Sequence, residues 1–168
     1  AGVRFVPHTR VSKIEDHVDH ITCLAGDRAL RAAHLVMATD GYTDGASKWM
    51  RRRVVSLASV VTATEAMDPA AVRAMYPRAS MVYDTRMNVT YHRTSPDGDR
   101  VVIGTVVPVK VTNVAACLPR VRRNILRLFP QLEGVKIAHV WTGFVGATFS
   151  HLPHVGLRGR MGYAIGYN

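Results

Sequence analysis

Tyr91 and Arg93 stand two residues apart in TYHRT, so on an extended strand both side chains leave from one face. A phenol beside a guanidinium suits a carboxylate, because the guanidinium offers a bidentate fork and the phenol adds one donor. The same spacing also fits a ladder of polar residues on a solvated sheet, and both readings stand at this level. Trp141-Thr142-Gly143 sets a broad aromatic ring beside a residue without a side chain, which suits a flat ligand or plain core packing. His17-x-x-His20 and His151-x-x-His154 have a spacing that metal sites use. The first pair is expected on a strand, where residues three apart face opposite sides. The second brackets Pro153 without further ligands, so no metal is expected at either.

Other chemistries lack their residues. No GxGxxG and no GxSxG occurs in the 168 residues, and no CxxC or Cys/His cluster argues for zinc. Cys23 and Cys117 lie far apart in apolar surroundings, which predicts free thiols in a reducing, cytoplasmic setting. No run of about 18 apolar residues is present, so no membrane-spanning helix is expected. Lys and Arg outnumber Asp and Glu by 22 to 12, a net charge of +10 that raises the question of nucleic acid. The one dense run, Arg51-Arg52-Arg53, has no interleaved aromatic residues for base stacking. A solvated basic surface facing an anionic cofactor or an acidic segment is the expectation, with no nucleic-acid partner.

The elements that must carry these residues are mostly strands. VRFV, RVSKIE and HVDHITCLAG read as extended segments, closed by a turn at Ala25-Gly26-Asp27. Ala33 to Ala38 is a short apolar run ending at Thr39-Asp40-Gly41, which predicts a buried, parallel strand terminating in a loop. Ligands of α/β sheets gather beyond the carboxyl ends of strands, so that loop is a candidate site. Arg53 to Thr64 reads as one long strand, and Asp68-Pro69 as the N-cap and first residue of a short helix ending before Pro77. MNVTYHRT and RVVIGTVV flank Ser95-Pro96-Asp97-Gly98-Asp99, a hairpin signal in which proline sets φ and Asp-Gly accepts the reversed turn. From Pro119 to Phe129, Val121, Ile125 and Leu128 share one helical face, and Pro130 ends the helix. VKIAHVWTGFVG returns to strand, and Gly156, Gly159, Gly162 and Gly166 predict turns around an apolar tail. The order predicts an α+β fold with a mixed or antiparallel sheet.

Taken in series, HLVMATDGYT, RRRVVSLASVVTATE, YDTRMNVTYHRTSPDGDRVVIG, FPQLEGVKIAHVWTG and TFSHLPHVG with GYAIGYN resemble the FAD-dependent amino-acid and amine oxidoreductases of the D-amino-acid oxidase superfamily. Within it, the subgroup is similar to γ-glutamylputrescine oxidoreductase, with sarcosine- and glycine-oxidase-like enzymes behind. The resemblance implies part of a two-domain α/β flavoprotein: residues 1–48 and 141–168 from the FAD-binding domain, 49–140 from the substrate-binding domain and its mixed or antiparallel sheet. It implies a fragment, with an N-terminal βαβ unit bearing the Gly-rich pyrophosphate turn and a helix following Gly166 both lying outside these residues. It implies FAD as cofactor, approached by Val11, Thr39, Asp40, Gly41, Trp141, Gly143, Pro153, Gly156 and Gly166. Tyr91 and Arg93 would position an amine or amino-acid substrate whose C–N bond is oxidised to an imine, with oxygen or another acceptor reoxidising the flavin. The isolated chain is then expected to be inactive. Two other classes stay open on the residues alone: a small-molecule binding module without redox work, and a basic nucleic-acid binder.

Overall fold

The computed structural model describes residues 2–78, 80–86, 89–107 and 113–167. The chain divides into two compact units, Ala1–Ser56 with Val145–Asn168, and Leu57–Phe144. The divisions therefore fall at Ser56/Leu57 and Phe144/Val145, which puts Trp141 and Gly143 in the second unit. The described elements are α+β, with strands predominating and three short α-helices.

The first unit holds two small sheets. β1 (Val11–Asp16), β2 (Ile21–Ala25) and β3 (Arg28–Ala32) form an antiparallel meander with a register shift between Val11 and Lys13. β4 (Leu35–Met37) runs parallel to β11 (Met161–Ile165), which pairs antiparallel with β10 (His154–Arg158). Ile21, Cys23, Met37, Met50, Val54, Met161 and Ile165 form the core. A four-residue helix, α1 (Lys48–Arg51), starts where Ser47 Oγ accepts from the Met50 amide.

The expected strand VRFV is absent: residues 2–6 carry no strand, and Val3 and Phe5 are exposed. Alternation alone cannot make a strand without a partner ladder. The β4 strand is parallel as expected but buried on one side only, since Met37 joins the core while Val36 is exposed. His17 and His20 lie in the turn between β1 and β2 rather than on a strand, their rings stacked 4.4 Å apart. No group of three or more metal-ligating side chains occurs among the described residues. Gly159 and Gly166 do take positive φ, but Gly156 and Gly162 sit inside β10 and β11.

The second unit is a five-stranded sheet in the order β6-β7-β8-β5-β9: β6 (Val82–Tyr83), β7 (Thr90–Thr94), β8 (Val101–Val107), β5 (Val55–Thr64) and β9 (Ile137–Ala147). β5 and β9 carry the chain across the divisions. The start of the expected strand MNVTYHRT, Met87 and Asn88, lies outside the described residues. β7 and β8 form the predicted hairpin, with Gly98 at φ +73°.

Two helices cover one face of this sheet. α2 (Pro69–Met75) is capped by Asp68, whose carboxylate accepts from the Ala70 amide at 2.9 Å. α3 (Leu118–Leu128) turns Val121 and Ile125 inward, each worth about 1.5–3 kcal/mol when fully buried. They pack with Ala58, Val60, Val101, Ile103 and Val107, the alternate residues of β5 and β8. No helix among the described residues is long and apolar enough to cross a membrane.

Beneath α2 and α3, Tyr76 and His92 share a hydrogen bond of 2.6 Å, and both rings contact Phe129. Burial pushes the Tyr76 phenol well above its ordinary range. Burial also lowers the His92 pKa, outweighing the nearby Asp84 carboxylate, which raises it. The phenol therefore keeps its proton and donates it to Nδ1 of a neutral imidazole. The unfolded imidazole titrates near about 6.5. Below that pH the unfolded chain takes up a proton that folded His92 resists, so His92's contribution is full above about 6.5 and is lost toward the lowered folded value. An NMR titration should place the His92 midpoint below about 6.5, with unfolding midpoints falling over the same window. A His92 midpoint at or above about 6.5 would contradict this burial effect.

Candidate functional site

Asp40 stands three residues beyond β4, in a 3-10 turn over Asp40–Tyr42, with φ +41°. Its carboxylate faces inward. Oδ2 accepts the Gly146 amide and Oδ1 the Gly166 amide, both at 2.8 Å. One side chain thus ties the loop after β4 to the ends of β9 and β11. Asp is among the few non-glycine residues that enter the left-handed region readily. The cost of that conformation, about 1–3 kcal/mol, is offset by two charge-assisted hydrogen bonds.

The clamp requires glycine at both partners. A Cβ on Gly146 would stand 2.5 Å from Asp40 Oδ1 and 2.9 Å from the Gly41 amide. Gly166 has φ +80°, and a Cβ there would meet Thr148 Cγ2 at 2.7 Å and the Leu152 carbonyl at 3.0 Å. Thr148, itself buried, donates from Oγ1 to that same Leu152 carbonyl at 2.8 Å, which fixes the turn holding Pro153. Ser56 Oγ donates to the Gly41 carbonyl at 2.7 Å. Asp40, Gly41, Pro153 and Gly166 are therefore gathered into one cluster at the carboxyl ends of two parallel strands.

Val11 and Thr39 meet elsewhere in the same unit. They line a cleft of about 570 Å³ with Thr9, Met37, Ala38 and Tyr42. Ala38 and Thr39 are exposed. Gly156 is not open in this way: it pairs with Tyr163, and a Cβ there would lie 2.5 Å from the Tyr163 hydroxyl. The expected ring-facing glycine is covered by a tyrosine of its own hairpin.

In the second unit, Tyr91 and Arg93 do share a face, since they pair with Gly104 and Val102 on β8. This face is opposite the one that α2 and α3 cover. The Tyr91 ring lies across Gly104, where any Cβ would collide with it, and its hydroxyl is 2.5 Å from Ser59 Oγ. Arg93 is exposed and has no carboxylate partner among the described residues. Trp141 and Gly143 lie on β9, the indole about half exposed and the glycine half-buried.

Sequence reasoning missed Gly146, Thr148, Gly104 and Ser59. Two of them had a signal: a glycine inside a run rich in β-branched residues marks close approach of another group. Gly104 admits the Tyr91 ring, and Gly146 admits the Asp40 carboxylate.

The whole chain, residues 1–168, matches the family model described as "DAO: FAD dependent oxidoreductase". The chain belongs to this family of FAD-dependent oxidoreductases. It is similar to a probable oxidoreductase, OrdL, of Haemophilus influenzae, 28% identical over 152 residues that cover 86% of this chain and 34% of that protein. It is also similar to the γ-glutamylputrescine oxidoreductase of Escherichia coli, 29% identical over 131 residues, 74% of this chain and 29% of that protein. The glycine oxidase of Geobacillus kaustophilus shares the fold at a TM-score of 0.72 and 19% identity, over 95% of this chain and 42% of that one. The chain spans about a third of the length of the curated relatives it matches.

Gly146→Ala should lower unfolding stability by about 1–3 kcal/mol, because the methyl group displaces the Asp40 carboxylate. Chemical denaturation measures this. A variant as stable as the parent would show that the carboxylate does not depend on the open space at 146.

Proposed function

We propose that this chain is the substrate-sheet and partial cofactor-cradle portion of a flavoenzyme that oxidises the C–N bond of an amine or amino acid to an imine. Family membership supplies the cofactor class, FAD. The observation that carries the reading is the Asp40 clamp, which holds a loop open at the carboxyl ends of β4 and β11, the end of a parallel pair where nucleotide ligands bind.

The described residues fit the adenosine side of such a cofactor. Val11, Ala38 and Thr39 border a mainly apolar cleft, suited to a flat base and its sugar. Gly41, Pro153 and Gly166 sit where the clamp fixes them, and we assign them to the cradle. Asp40 acts through its backbone and its clamp rather than as a direct ligand. Trp141 and Gly143 are assigned to the flavin ring by resemblance. Gly156 is the weakest of the set, since Tyr163 covers it.

The chemistry that FAD would supply when bound is acceptance of a hydride equivalent from the amine-bearing carbon. The chain's own residues bind and orient. Arg93 is assigned to a substrate carboxylate, a reading supported by its exposure and its lack of an ion-pair partner among the described residues. The Tyr91 ring is held over Gly104 by its contact with Ser59, so its position is set before any ligand arrives. The neighbouring Asp84–Arg86 pair is internally satisfied and is not assigned to substrate. A small amine is supported by the relative in Escherichia coli, whose name specifies γ-glutamylputrescine. The free cysteines, Cys23 and Cys117, support a cytoplasmic setting.

In a flavin-loaded protein carrying this chain, candidate amines should bleach the flavin anaerobically. Arg93→Ala should raise KM for carboxylate-bearing substrates by about tenfold or more, with a smaller effect on kcat. Unchanged KM and kcat would remove Arg93 from substrate binding. Residues 1–168 alone contain no GxGxxG turn, so the purified chain should retain no stoichiometric flavin. A yellow protein with a 1:1 flavin absorbance would contradict that expectation.

A further inference from the structure

The unit containing Asp40 holds a second and larger cleft, of about 850 Å³, that the flavin reading does not use. Lys13, Lys48, Trp49, Arg52, Arg53 and Arg158 line much of it. Its charge is one-sided. Lys13 pairs with Glu15, but Lys48, Arg52, Arg53 and Arg158 have no ion-pair partner among the described residues. Asp16 is the one acidic residue in the lining and joins none of these cations in an ion pair.

Two of the cations are held in place. The Arg53 guanidinium lies 4.0 Å from the Trp49 ring centre, and that of Arg158 lies 5.0 Å from it. Arg53 also donates from Nη1 to the Trp49 carbonyl at 2.9 Å, while Tyr163 meets the indole edge-on at 5.1 Å. Stacking on an aromatic ring fixes a guanidinium plane and leaves its donor edge free for an oxyanion. Four uncompensated cations in a concave site repel one another and focus a positive field, so a multiply charged anion is the occupant that relieves them. The volume falls in the range of small-molecule sites rather than that of one inorganic ion.

We propose that this cleft binds a small polyphosphate, either free or as the phosphate tail of a nucleotide. Arginine forks match phosphate oxygens bidentately, and the indole, already stacked by two guanidiniums, leaves recognition to the phosphates rather than to a base. Binding then depends on phosphate number and not on the nucleobase.

Titration calorimetry of the 168-residue chain at low salt tests this with tripolyphosphate, ATP and orthophosphate as probes. Saturable 1:1 binding of tripolyphosphate and ATP at similar affinity, and much weaker binding of orthophosphate, is expected. Similar affinity admits both sources, binding of tripolyphosphate but not of ATP assigns the free polyphosphate, and binding of ATP but not of tripolyphosphate would show that the base is read and overturn the proposal. Arg52→Gln and Arg158→Gln should each weaken binding by about tenfold. Arg123→Gln on α3, which removes the same charge from the other unit, should leave it unchanged. Circular dichroism confirms that each variant is folded, and Arg52, which is held through its backbone amide to the Met50 carbonyl, keeps the test valid if Arg158→Gln unfolds. Absence of saturable binding, equal loss in the Arg123 variant, tighter capture of an oligonucleotide or polyglutamate, or displacement by FAD as effective as by tripolyphosphate would each overturn the proposal.

Discussion

Two hydrogen bonds from backbone amides to one carboxylate organise the first unit. Asp40, Gly146 and Gly166 are separated by more than a hundred residues of chain between the first and the others, yet both Asp40 oxygens are committed to those amides. A carboxylate is the right group because it accepts twice without needing a donor of its own. Glycine is the right partner because a side chain at either position would occupy the space of the carboxylate or of the neighbouring turn. The strained φ at Asp40 is the local cost of bringing three strand ends together.

The second unit obeys a different constraint. Its sheet has one face buried under α2 and α3 and one face carrying Tyr91 and Arg93, so the period of two divides packing from chemistry along the same strands. Thr90, His92 and Thr94 alternate with Tyr91 and Arg93 on β7. Neutral His92 beneath the helices and charged Arg93 on the other face are therefore consecutive residues with opposite environments. The Tyr91 ring is positioned by a missing side chain, that of Gly104, as much as by its contact with Ser59.

Much of this was legible in the sequence where a local rule acts alone. The Asp68 cap, the hairpin around Gly98, the long β5 strand and the apolar stripe of α3 each follow from a few adjacent residues. The expected strand in VRFV failed because a strand needs a partner ladder, which alternation does not supply. β3 and β10 were missed because their short, charged or glycine-bearing sequences hide the period. The clamp could not be read at all: Asp40 looked like a loop ligand, and nothing near it in sequence points to residues 146 and 166. At Gly156 the sequence shows only that something approaches closely, since a glycine that admits a ligand and one that admits Tyr163 look the same.

Amide hydrogen exchange at Gly146 and Gly166 tests the clamp most directly. Both amides should be protected in the parent chain, and Asp40→Ala should accelerate both together while leaving the β7–β8 amides of the second unit unchanged. Two amides that exchange freely in the parent, or that keep their protection after Asp40 is removed, would show that something other than this carboxylate holds the strand ends.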